Sequence, residues 1–215
     1  MKYLSILLVF FLSGCTYSKV SSYADRSILP TSGFQHVIVS ASNFPLGERQ
    51  TVESMIVQSF YEIGVLATKG TDIIPPTGNL TSKEIDQRIA NSGADSILLL
   101  FETDRGSTET YVPPQILTSG VSSTIGSVQG FGGMYSINTT TTYSPPTITG
   151  GYSVTKPNAS YGASLFDLKE GGRRVWIAEI DTAGSAFSSY EDLATEAGQA
   201  IFQRMSKDGI TFNSR

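Results

Sequence analysis

Five consecutive apolar residues, Ile97-Leu98-Leu99-Leu100-Phe101, sit between the polar Asp95-Ser96 and Glu102-Thr103. Successive side chains of a strand point to opposite faces, so an unbroken apolar run of this length implies a strand covered on both sides. It is also too short for a buried helix. This run is therefore expected to be the central strand of a layered domain, with the rest of the chain arranged to cover it.

The flanking sequence supplies elements for that purpose. His36-Val37-Ile38-Val39-Ser40, bounded by Gly33 and Pro45, reads as a strand. From Glu48 to Ile63 the apolar positions Val52, Met55, Ile56, Phe60 and Ile63 recur every three or four residues, which places them on one helical face ending at Gly64. Val65 to Thr68 is a short second strand. Thr71 to Leu80, with Pro75-Pro76, is expected to be loop. Thr81-Ser82-Lys83-Glu84 has capping-box spacing and opens a helix carrying Ile85 and Ile89.

Beyond the central run, Tyr161, Ala163 and Leu165 alternate with smaller residues. Lys169-Glu170-Gly171-Gly172 predicts a hairpin turn, and Arg173 to Asp181 a return strand with Trp176, Ala178 and Ile180 on one face and Val175 and Ile177 on the other. Ser188-Ser189-Tyr190-Glu191 reads as a second capping box. It opens a helix with Tyr190, Leu193, Ala194, Ala197, Ile201 and Met205 on one stripe, closed by Gly209. The expected fold is a two-layer α+β or α/β arrangement: a mixed sheet of about five strands with three helices, in the order βαβα-β-(long insert)-ββα.

The insert, residues 105–157, breaks the pattern. It is rich in Gly, Ser and Thr, with proline pairs at 113–114 and 145–146 and almost no charge after Glu109. Its length exceeds an ordinary connection. Gln115–Gln129 and Gly130–Ser144 are two stretches of equal length, so an outgoing hairpin is one reading and a Gly/Thr-rich surface loop another. Phe131, Met134, Tyr135 and Tyr143 are its candidate partner-contact residues, because long segments on rigid scaffolds carry binding.

The amino-terminal stretch bears on location. Lys2 precedes an apolar run from Leu4 to Leu12, interrupted by Ser5, then Leu12-Ser13-Gly14-Cys15. A basic start, a short apolar core and small residues describe a secretory signal peptide, and the core falls short of the roughly 20 residues of a spanning helix. Leu12-Ser13-Gly14-Cys15 resembles the bacterial lipobox. That resemblance implies a diacylglycerol on the Cys15 thiol, cleavage before Cys15 and acylation of the new amino end. Thr16 in place of an aspartate resembles the class sorted to the outer membrane. Cys15 is the sole cysteine, so no internal disulfide is possible and the fold must rest on packing.

The expected organisation is signal peptide 1–14, lipidated tether 15–33, a single α/β domain 34–209 with the insert, and a tail 210–215. Element order over Phe34 to Gly209 resembles small periplasmic α/β domains of envelope proteins, such as the amino-terminal domain of the Tol-system propeller protein and the domain of the curli secretion lipoprotein. This likeness rests on pattern and carries over no functional residue.

Chemistry-bearing residues are sparse. His36 is the only imidazole, and no Gly-x-Ser-x-Gly elbow accompanies it. Glu102 with Asp104, and Glu179 with Asp181, are carboxylate pairs at strand ends. If those ends adjoined, they would make an oxygen-ligand calcium site or an acid/base pair. Gly130-x-Gly132-Gly133 lacks the Lys-Ser/Thr of a phosphate loop. With Lys2 removed, 14 basic residues face 19 acidic ones, which speaks against nucleic acid as a partner. No cofactor or metal is expected. The expectation is a non-enzymatic envelope lipoprotein, outer-membrane anchored and facing the periplasm or the surface. Its partners would be the bilayer through acylated Cys15 and an envelope protein or its own copies. The alternatives are a secretion-channel component, or a hydrolase using His36 or the carboxylates.

Overall fold

The computed structural model describes residues 16–117, 123–131, 134–142 and 147–213, with no description of side chains over 116–148. In chain order the elements are β1 (Tyr17–Ala24), β2 (His36–Ser42), α1 (Leu46–Glu62), β3 (Leu66–Lys69), α2 (Gly70–Ile73), α3 (Ser82–Asn91), β4 (Ser96–Val112), β5 (Gln115–Leu117), β6 (Ser123–Phe131), β7 (Met134–Thr142), β8 (Thr147–Thr149), β9 (Tyr152–Asp167), β10 (Arg173–Ala183) and α4 (Tyr190–Lys207). The chain forms two units. One runs to Thr108 and resumes at Lys156, and the other is Glu109–Thr155.

The first unit is built on a six-stranded mixed sheet in the order β1-β10-β9-β4-β2-β3. β2 pairs in parallel with β3 and β4, while β10 pairs antiparallel with β1 and β9. As expected, the apolar run lies inside the sheet, on β4. Helices α1 and α4 lie against one face. There Val52, Ile56 and Phe60 of α1 and Leu193, Ala197, Ile201 and Met205 of α4 meet Val37, Val39, Leu98, Leu100, Tyr161, Leu165, Trp176 and Ile180. The helices touch closely at Gly198, where a Cβ would lie 3.0 Å from Ile56 Cγ1.

Several elements differ from expectation. Coverage of β4 is one-sided: Ser96, Leu98 and Leu100 are buried, but Ile97, Leu99 and Phe101 are only half-buried. The antiparallel half of the sheet explains this, since such sheets can leave one face to solvent. The expected tether contains β1, an edge strand in register with β10 from Tyr17↔Ala183 to Ala24↔Trp176. Its sequence, Tyr-Ser-Lys-Val-Ser-Ser-Tyr-Ala, alternates faces so that Val20 and Ala24 pack on the core, and Lys19 sits on the outer face of the edge. The expected tail is also part of the fold. Ile210 is buried, Phe212 bridges to Phe34, and its ring lies 4.9 Å from that of Phe60.

The expected insert is narrower, since β4 continues to Val112 and β9 begins at Tyr152. Within the second unit, β6 pairs antiparallel with β7 and β5 with β8. The Thr81–Glu84 capping box is present, but the second box is Ser189–Asp192, one residue later than expected. Ser188 is otherwise engaged, accepting from the Ser185 amide at 2.9 Å. Val175 and Trp176 are both buried because the β9–β10 register shifts between Arg174 and Trp176.

Candidate functional site

The carboxylate pairs do not assemble into one constellation. Glu102 turns to Arg105, with Nη2 to Oε2 at 2.6 Å. Asp104 and Asp181 line one depression on the open sheet face with Lys19, Asn158 and Ser160. Glu179 lines another, of about 390 Å³, with Tyr23, Phe101, Gly162, Arg174 and Ile177. His36 is buried at the start of β2, its Nε2 2.8 Å from Thr68 Oγ1. Among the described residues no group of three His, Cys, Asp or Glu gathers. The hydrolase constellation that sequence spacing allowed is therefore not formed.

Of the groups that do come together, Glu102 alone was a candidate in the sequence, and its partners were not. At the end of the sheet where β4 runs on from Phe101, the Arg105 guanidinium spans two carboxylates, Glu102 on its own strand and Glu48 in the first turn of α1, with Nη2 2.5 Å from Glu48 Oε2. It also stacks 4.4 Å from the Tyr190 ring centroid, and the Tyr190 hydroxyl donates to the Gly106 carbonyl at 2.9 Å. The hydrogen bonds that Arg105 donates to Glu48 and then to Glu102 push its pKa further up. This clamp joins the start of α1, the start of α4 and β4. The sequence signal was slight: an acidic residue in a first helical turn and an arginine at the edge of a Gly/Ser/Thr-rich stretch.

Strand directions gather further features at this same end. β2 and β4 both run toward it, and α1 and α4 both begin there. Tyr17, the first residue of β1, pairs with Ala183, and Asn158 donates to Thr108 Oγ1 at 3.0 Å where the chain leaves and re-enters the first unit. Three large apolar side chains are exposed here: Phe187 at 94%, Tyr17 at 67% and Leu46 at 52%. Cys15 lies outside the described residues, but stands two positions before Tyr17.

At the opposite end, Asp95 closes the sheet. It accepts from the amides of Gln35 at 2.9 Å and His36 at 3.1 Å, and from Lys169 Nζ at 3.0 Å. Burial alone would raise its pKa, but these donors outweigh burial and hold the carboxyl below its ordinary value.

Of the candidate contact residues, Phe131 ends β6 and Met134 and Tyr135 open β7, while Tyr143 lies outside the described residues, as do Gly132 and Gly133. Among the described residues no helix is long and apolar enough to cross a membrane, which leaves strands aside.

No family model and no curated protein matches this chain. Solved structures similar to it include the PelC dodecamer from Paraburkholderia phytofirmans, at 13% identity and TM-score 0.43 over 84% of this chain and 91% of that one. Lipoprotein GNA1162 from Neisseria meningitidis is similar at 12% identity and TM-score 0.40, over 80% and 99%. A PDZ domain protein from Parabacteroides distasonis follows at 10% identity and TM-score 0.37, over 94% and 38%. Likenesses at this level leave the functional argument to the chain's own residues.

Proposed function

We propose that this chain is a lipid-anchored envelope protein whose α/β domain serves as a binding or assembly module and not as an enzyme. Acylated Cys15 is the anchor, at the outer membrane, with the domain facing the periplasm or the surface. The reading is carried by one observation: residues 110–155 contain no Asp, Glu, Lys, Arg or His, yet hold two antiparallel strand pairs within a compact unit of their own. Charge is depleted at the cores of protein interfaces, so an uncharged unit of this kind suits contact with a protein partner or with further copies of the chain. Phe131, Met134, Tyr135 and Tyr143 are the proposed contacts.

The test is deletion of 115–144 in the anchored protein. The expected result is a folded first unit that no longer recovers the partners cross-linked to the intact chain in whole cells. Recovery of the same partners by both forms refutes the reading.

One observation favours a second reading, a multi-copy channel. β6 and β7 are nine residues each, close to a membrane strand, and pair antiparallel from Ser123↔Thr142 to Phe131↔Met134. Rings in negative-stain images of detergent-extracted protein would support it, and single small particles would end it.

A further inference from the structure

The lipid anchor and the first folded residue are almost contiguous. A tether of nineteen residues would let the domain stand off the bilayer, but β1 begins at Tyr17 and is paired with β10 from that residue onward. Two extended residues reach at most about 7 Å. Tyr17, at one corner of the sheet, is thus held within reach of the lipid headgroups.

That end of the sheet carries exposed apolar side chains. Phe187 is almost wholly exposed, in the turn between β10 and α4 that Ser185 and Ser188 close on each other. Tyr17 is exposed on the neighbouring edge strand, and Leu46 opens α1. The Arg105 clamp holds these positions in a fixed relation, because Glu48 lies two residues past Leu46 and Tyr190 three past Phe187. The charges nearby are partly paired: Arg105 lies between Glu48 and Glu102, and Lys19 stands opposite Asp181 across β1 and β10. Aromatic and aliphatic side chains are what the interface between headgroups and acyl chains accepts.

We propose that Tyr17, Leu46 and Phe187 form a second membrane contact, seating the anchored end of the sheet in the bilayer interface. The proposal rests on acylation of Cys15. It makes the domain a fixed body on the membrane with its sheet axis set, not a body swinging on a leash. The occupant of this apolar end is a lipid surface because the chain delivers it there: the covalent anchor lies within two residues of Tyr17.

The test uses the lipidated full chain, extracted in detergent and reconstituted into phosphatidylethanolamine and phosphatidylglycerol vesicles with brominated acyl chains. The native Trp176 is buried and provides an internal reference. Phe187→Trp places a reporter at the proposed contact. Tyr61→Trp places one about 22 Å along α1 from Leu46, at 1.5 Å per residue. The expected result is loss of the added indole emission, with a shift to shorter wavelength, for F187W and neither change for Y61W. Flotation of the wild-type protein with the vesicles is read in parallel. Flotation with neither or both reporters quenched overturns the proposal and leaves the anchor standing. Absence of flotation, with an unmodified thiol by mass spectrometry, overturns the anchor and this contact with it.

Discussion

Glu53 offers the sharpest test of what holds the first unit together. It is fully buried on α1, yet both its oxygens are engaged by donors. Oε1 accepts from the Ala41 amide at 2.9 Å and from Arg49 Nε at 3.1 Å; Oε2 accepts from the Thr71 amide at 2.9 Å and from Thr71 Oγ1 at 2.7 Å. The carboxylate thus satisfies a buried backbone donor past the middle of β2, at Ala41, and a half-buried one within the four-residue α2, at Thr71. Glu53→Gln keeps the volume but turns one acceptor into a donor. One buried amide then faces an N–H group, and the Thr71 hydroxyl can escape only by rotating. Losing one hydrogen bond to a charged acceptor costs about 1.5–3 kcal/mol, and an unsatisfied buried donor keeps the loss near the upper end. The expected destabilisation is about 3 kcal/mol, which for a chain of this size lowers Tm by roughly 6–12 °C. Arg49→Ala should cost less, because Arg49 is partly exposed and its loss leaves the backbone donors served. Urea unfolding followed by circular dichroism measures both. If E53Q costs under about 1 kcal/mol, or no more than R49A, the carboxylate acts as a surface ion-pair partner and the backbone-staple argument fails.

Two further outcomes follow from particular contacts. Asp95→Asn should cost about 1–3 kcal/mol at pH 7, since the amide cannot accept on both sides from Gln35, His36 and Lys169. The folded-state pKa of Asp95 is lowered, so its contribution is present above the unfolded value and is lost as pH falls through the folded one. The gap between wild type and D95N should therefore narrow below about pH 4, and urea midpoints showing a constant or widening gap there would contradict this. Gly162→Ala should destabilise by about 1–3 kcal/mol, because a Cβ at that position runs into the ring of Phe101 lying across the open sheet face. The cost should shrink in a Phe101→Ala background, which a double-mutant cycle measures, and additivity would show that the ring is not what excludes the side chain.

How much of this could be read in advance depends on the range of the interaction. The helix carrying Val52, Ile56 and Phe60, the Thr81–Glu84 box, the Lys169–Gly172 turn and the interior placement of Ile97–Phe101 follow from spacing or local hydrogen bonding, and each was legible. The strand at Tyr17–Ala24 was not. Its residues are half polar, and only the unpaired edge of β10, more than 150 positions away, makes them a strand. The same holds for Phe212, which becomes core only because Phe34 and Phe60 stand beside it. Ser189 displaced Ser188 as the cap because the preceding turn had already taken the Ser188 hydroxyl.

The candidate sites divide in the same way. A signal segment ending in Leu-Ser-Gly-Cys is a linear pattern, so sequence alone suffices to nominate Cys15 as an anchor. The same is true of the missing charge over residues 110–155. Whether Glu102, Asp104, Glu179 and Asp181 meet depends on where strand ends lie in space, and the fold separates three surroundings while giving Arg105 to Glu102 and Glu48. Local spacing decides the elements and nominates the anchor, because helix periodicity and a leader pattern need only neighbours along the chain. Tertiary structure alone decides which face of the sheet stays open, and that the segment just after Cys15 is a bound edge strand, because both are set by partners far away in sequence.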